Sequence, residues 1–120
     1  MKRINARPKE CWNNAFDALK IYGPAGAKYV EGWAATKNED DDAQSPLIIE
    51  HGWIEYGEVI IDPTIPDQII QYFPGIRYDL EEALEAASQI KELPFAWHLT
   101  GDPRYSGYQE ALYRSFRLFR

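Results

Sequence analysis

Cysteine occurs once in this chain, so no disulfide can close within it, and the stapled framework of small secreted domains is excluded. Nor is there a run of about 18 apolar residues of the kind that spans a bilayer, and the basic opening segment, residues 1–8, leads into no apolar signal-like stretch. A reducing cytoplasm is the expected setting. Positive charge is in deficit, with 13 Lys and Arg against 19 Asp and Glu for a formal charge of −6. No long Lys/Arg stripe offsets it, so nucleic-acid backbones and anionic membranes are poor partners. Histidine is scarce too: imidazole chemistry rests on His51 or His98.

What the chain does carry is apolar and aromatic surface. With 45% hydrophobic and 14% aromatic residues in 120, one packed domain spanning 1–120 is expected, because each buried aromatic removes roughly 150–250 Å² from water. Trp12, Ala15, Phe16 and Leu19 recur at helical spacing and predict a helix from about Lys9 to Tyr22, with Pro8 suited to its first turn. Gly23-Pro24-Ala25-Gly26 ends it, and Lys28 to Ala35 alternates as a strand with Tyr29, Glu31 and Trp33 on one face. The polar stretch Lys37 to Ser45 reads as a hairpin tip.

Leu47–Tyr56 and Glu58–Asp62 flank Gly57 and predict a two-stranded hairpin. A two-residue loop at Tyr56-Gly57 sets His51 directly opposite Asp62, where Cβ atoms lie about 4.5–5.5 Å apart on a shared face. Further on, Asp79 with Glu82, and Ser106 with Gln109, have the spacing of capping boxes and predict two more helices. The last is expected to carry Tyr108, Ala111, Leu112 and Phe116 on one face. The fold class that follows is α+β, an N-terminal helix packed on a small antiparallel sheet with two C-terminal helices closing the core.

Three groups in this frame suit nucleophilic catalysis. Cys11 falls in the first turn of the first helix, where unpaired N–H groups and the positive dipole end favour a thiolate. His51 supplies a base and Asp62 an orienter for it. The bland readings are a core cysteine, a structural histidine and a turn aspartate; their conjunction in one order favours chemistry. His98 with Asp102 is a rival base and orienter, and Cys11, His51 and Asp62 together are also conceivable zinc ligands, although no second His or Cys clusters with them.

Cys11-Trp12 opening a helix, His51-Gly52-Trp53-Ile54-Glu55 and Asp62-Pro63-Thr64 resemble the cysteine, His-x-Trp-x-Glu and Asp-Pro-Thr signatures of transglutaminase-like proteins, within the papain-like cysteine protease superfamily. The resemblance covers Cys11 to Thr64. It implies a papain/transglutaminase-like core in which Cys11 is the nucleophile, His51 the general base and acid, and Asp62 the orienter. Such a thiol enzyme needs no cofactor or metal and acts on a peptide, protein or small amide-containing substrate through an acyl-enzyme. Asn5 has the spacing of the oxyanion-stabilising amide of papain-like enzymes. Glu31, Glu50 and Trp53, with Trp33 and Trp97, are candidates to line a substrate cleft. Where members carry a small residue or Gln before the cysteine, this chain has Glu10, which favours the alternative of a catalytically inactive binding module with an aromatic cleft.

Overall fold

The structure, a computed structural model, describes residues 8–37, 47–64 and 69–119. The expected polar hairpin tip, for all but Lys37, and Asn5 lie outside them. Helix α1 runs Pro8–Tyr22. It buries Cys11, Trp12, Ala15 and Leu19 along one stripe, as the helical spacing requires. A 3-10 turn at Gly23–Ala25 follows, and Gly26 at φ 107° turns the chain into the sheet, a left-handed conformation that favours glycine.

Four antiparallel strands, β1 (Lys28–Thr36), β2 (Leu47–Tyr56), β3 (Val59–Ile61) and β4 (Ile69–Tyr78), lie in the order β3-β2-β1-β4. Strand β4 was not anticipated. Pro74-Gly75 interrupts its run of β-formers, and proline normally demotes a strand. Its edge position and a register shift absorb both residues: Glu31 pairs with Ile76 and Gly32 with Pro74, so Gly75 bulges out of the ladder.

Opposite residues share a face. Tyr29, Glu31 and Trp33 therefore lie with Gly52, Ile54 and Glu50 on the face that the helices cover, and Val30, Gly32 and Ala34 lie with Trp53, His51 and Ile49 on the other. On the helical face Tyr29, Tyr78 and Phe95 pack with ring centroids 5.2–5.9 Å apart. Such pairs add about 0.5–1.5 kcal/mol each beyond area burial.

Helix α2 (Leu80–Gln89) starts on the expected capping box: Asp79 Oδ1 accepts from Glu82 N at 2.8 Å, and Glu82 returns the bond to Asp79 N. A short 3-10 helix, Phe95–His98, leads to α3 (Pro103–Phe119). The expected start at Ser106 is corrected, because Asp102 accepts from Arg104 N at 2.9 Å and Pro103 occupies the first helical position, so Ser106 turns inward on Pro103 O. The buried positions of α3 are Tyr108, Ala111 and Ser115, and Phe116 is left exposed one position round. Among the described residues no helix is long and apolar enough to cross a membrane.

Candidate active site

The hairpin register differs from expectation. Ile54 pairs with Ile61, Glu55 with Ile60 and Tyr56 with Val59, so the turn is Gly57-Glu58, with Gly57 at φ 63°. Continued, that ladder sets Trp53, not His51, opposite Asp62. A two-residue slip preserves which face each side chain occupies, whereas a one-residue slip would not. Asp62 thus stays on the side of His51 and reaches it along the diagonal: His51 Nε2 and Asp62 Oδ2 are 2.7 Å apart, with both side chains 1% exposed.

Two further donors hold that carboxylate. Tyr72 Oη donates to the same Oδ2 at 2.7 Å, and Thr64 N donates to Oδ1 at 3.1 Å. Burial alone would raise the Asp62 carboxyl, but the bond and charge of His51, with the Tyr72 and Thr64 bonds, outweigh it and hold the group below its ordinary 3.8. An ionised Asp62 has no proton to give, so His51 must donate from Nε2. Nδ1 then carries the lone pair of the neutral ring.

Helix α1 lies on one face of the sheet and His51 is rooted on the other, so the route between sulfur and imidazole runs around the edge of β2. Three observations locate Cys11 at that edge. The β3 ladder covers only Ile54 to Tyr56, and past its end the Gly52 backbone N–H is directed at the sulfur. Trp12 packs so tightly on Gly52 that an added Cβ would overlap its Cδ1. Asn14 Nδ2 donates to Thr64 Oγ1 at 3.2 Å, tying α1 to the segment that carries Asp62.

Cys11 is 1% exposed. Burial pushes its thiol from 9.0 up to about 12 and the Asp62 charge adds to this, while the N–H groups of Gly52, Trp12 and Cys11 itself pull the other way. At neutral pH the group is a thiol.

Glu31 and Trp53 are not displayed on an open cleft. Glu31 is fully buried under the helices, accepting from Tyr29 Oη at 2.7 Å, Phe95 N at 2.6 Å and Ala96 N at 2.8 Å. It caps the 3-10 helix, and burial outweighs these neutral donors to raise its carboxyl to about 7. Trp53 is also fully buried, stacked beside His51 with centroids 5.9 Å apart, where it backs the ring. Glu50 accepts from Trp97 Nε1 at 2.8 Å and from Tyr108 Oη at 2.6 Å, and Trp33 Nε1 is bonded to Tyr108 O. Of the expected aromatic wall, Trp97 is the exposed member, lying edge-on to Trp12 at 5.3 Å. His98 and Asp102 are not paired with each other: His98 is nearest Glu92 at 3.8 Å and Asp102 holds Arg104.

Comparison with family models, curated proteins and solved structures finds no match. The site is therefore read on its geometry. Tyr72 is the residue that sequence reasoning missed. Its signal was the β-forming run Ile69-Ile70-Gln71-Tyr72-Phe73 ahead of Pro74, which puts Tyr72 opposite Ala34 and so on the His51 face.

Proposed function

We propose that this chain is a cysteine-dependent hydrolase or acyltransferase acting on an amide or peptide-like bond, with Cys11 as nucleophile, His51 as general base and acid, and Asp62 as orienter. The supporting observation is the 2.7 Å His51–Asp62 bond, which commits Nε2 and leaves Nδ1 with the lone pair that a base needs, while the N–H of Gly52, the next residue of the same strand, meets the sulfur. A thiol raised to about 12 attacks as its proton passes to His51 Nδ1, not as a standing thiolate. The S–C bond forms while the carbonyl electron pair moves to oxygen, with the Cys11 backbone N–H as a donor to that oxygen. Collapse breaks the C–N bond, His51 returns its proton to the departing amine, and a thioester remains on Cys11. Water, or an amine in a transfer reaction, then attacks the thioester as His51 takes its proton. The acid or new amide departs and the thiol is restored.

A peptide, protein or small amide is the substrate class this chemistry accepts, and a reducing cytoplasm suits a nucleophile that must stay reduced. Because Cys11 and His51 are each 1% exposed, substrate entry requires the groups covering the sulfur to move aside. The same burial supports a second reading, a binding module in which the His51–Asp62 pair merely secures the strand edge.

Covalent trapping separates the two. Incubated with an acyl electrophile and read by intact mass, the wild type should gain one adduct at Cys11. Cys11→Ser should gain none, and His51→Ala should react about 100-fold more slowly or worse. A Cys11 that reacts no faster with His51 than without it overturns the enzyme reading and leaves the binding module.

A further inference from the structure

Among the described residues Asp62 Oδ2 serves two donors, His51 Nε2 and Tyr72 Oη, each at 2.7 Å, and Oδ1 takes the longer 3.1 Å bond from Thr64 N. Each carboxylate oxygen has room for two donors, and a second donor on Oδ2 engages part of the charge that otherwise faces the imidazole. The sharing is built into the fold. Tyr72 reaches across β1 and β2 from the edge strand, over Gly32 and Ala34, which lack the bulk to stop it. Its ring packs 4.8 Å from Trp53 and 6.3 Å from His51. Its hydroxyl stays protonated, since burial and the Asp62 bond both push its ionisation well above the ordinary value of 10.0.

We propose that Tyr72 is a positioning residue that limits how tightly Asp62 holds the protonated imidazole, so that His51 both accepts the thiol proton and releases it to the leaving group. This deepens the reading of His51 as base and acid. The hydroxyl keeps its hydrogen, and its positive end, on the oxygen nearest the imidazole. An imidazolium formed there meets a carboxylate whose charge is already partly engaged. Among the described residues the titratable groups facing His51 are Asp62 from the segment after β3 and Tyr72 from β4, and the Cys11 thiol of α1 feels the same Asp62 charge. Removing the Tyr72 hydroxyl should therefore strengthen the base and slow its return of the proton.

The test is the titration of His51 followed by NMR on ring-labelled protein, with His98→Gln assigning the two signals. In Tyr72→Phe, which keeps the ring against Trp53, the His51 midpoint should rise by roughly half a unit to one unit, about a three- to tenfold gain in proton affinity. In an Asp62→Asn background the same substitution should leave the midpoint unmoved. An unshifted midpoint in Tyr72→Phe, or an equal shift in the Asp62→Asn background, overturns the proposal. Should Tyr72→Phe not fold, wild-type protein labelled at tyrosine Cζ decides: the Tyr72 signal should move with the His51 titration, and a signal indifferent to it counts against the proposal. None of these readouts needs Cys11 to react, so failed electrophile trapping would remove the enzyme reading without settling this one.

Discussion

Asp62 and Glu31 are carboxylates buried on opposite sides of one sheet, each accepting three hydrogen bonds from the described residues, and their acidities move in opposite directions. Among the described residues the donors to Glu31 are neutral, a tyrosine hydroxyl and two backbone N–H groups, and burial raises its carboxyl to about 7. Asp62 has a similar set except that one donor is an imidazole able to carry charge, and it stays below its ordinary 3.8. Neutral hydrogen bonds replace the water a carboxylate loses without answering its charge; a partner that becomes cationic answers both. The first arrangement suits an anchor, and the second suits a site where a proton must move.

Breaking the comparison gives the largest expected effect. His51→Ala leaves Asp62 buried like Glu31, and urea denaturation at pH 7 should report a loss of about 3–5 kcal/mol. A loss under about 1 kcal/mol would mean that Asp62 does not depend on the imidazole.

Next is Glu31→Gln. The native Glu31 carboxyl titrates near 7 against an ordinary 4.5, so between those pH values the folded state holds a proton that the unfolded state lacks. Stability should therefore fall as pH rises through that window, by on the order of 3 kcal/mol, and Glu31→Gln should flatten the slope. Asp62 has the opposite sign: its contribution is present above 3.8 and is lost as pH falls through its depressed native value. Asp62→Asn should keep the part of the upper slope that Glu31 contributes and soften acid unfolding. Chemical denaturation at a series of pH values reads both.

Gly52→Ala sharpens the contrast from the helical face that holds Glu31, because the new methyl must displace Trp12, the neighbour of Cys11. A loss of about 1–3 kcal/mol by thermal melting, with a change in indole fluorescence, is expected. The smallest effect belongs to an exposed carboxylate doing a similar backbone task. Asp79→Ala should cost about 1 kcal/mol through the lost capping bond to Glu82 N.

The elements that could be read in advance are those whose signals are local. The periodicity of Trp12, Ala15 and Leu19 predicts α1, alternation predicts β1, the β-forming run ahead of Gly57 predicts β2, and the Asp79–Glu82 box predicts the start of α2. The start of α3 was misplaced because Ser106–Gln109 imitates a capping box that Asp102-Pro103 pre-empts. Strand β4 was overlooked because a bulge that tolerates Pro74 is visible only in its pairing with Gly32. The meeting of His51 with Asp62 was anticipated from a register two residues away from the real one, and the match survived because side-chain direction repeats every two residues.

Sequence alone determined α1, β1, β2 and the start of α2, and the order in which thiol, imidazole and acid occur, because hydrophobic period and capping chemistry act over a few residues. Tertiary structure alone decided that Glu31 is an interior anchor, that Trp53 is buried behind the imidazole, and that Tyr72 shares the Asp62 oxygen. Those outcomes depend on which strands become neighbours and how far side chains reach across small residues. For Glu31 and Tyr72 no local pattern encodes that, since Tyr72 lies 10 positions from Asp62 and Glu31 lies 64 and 65 from the N–H groups it caps.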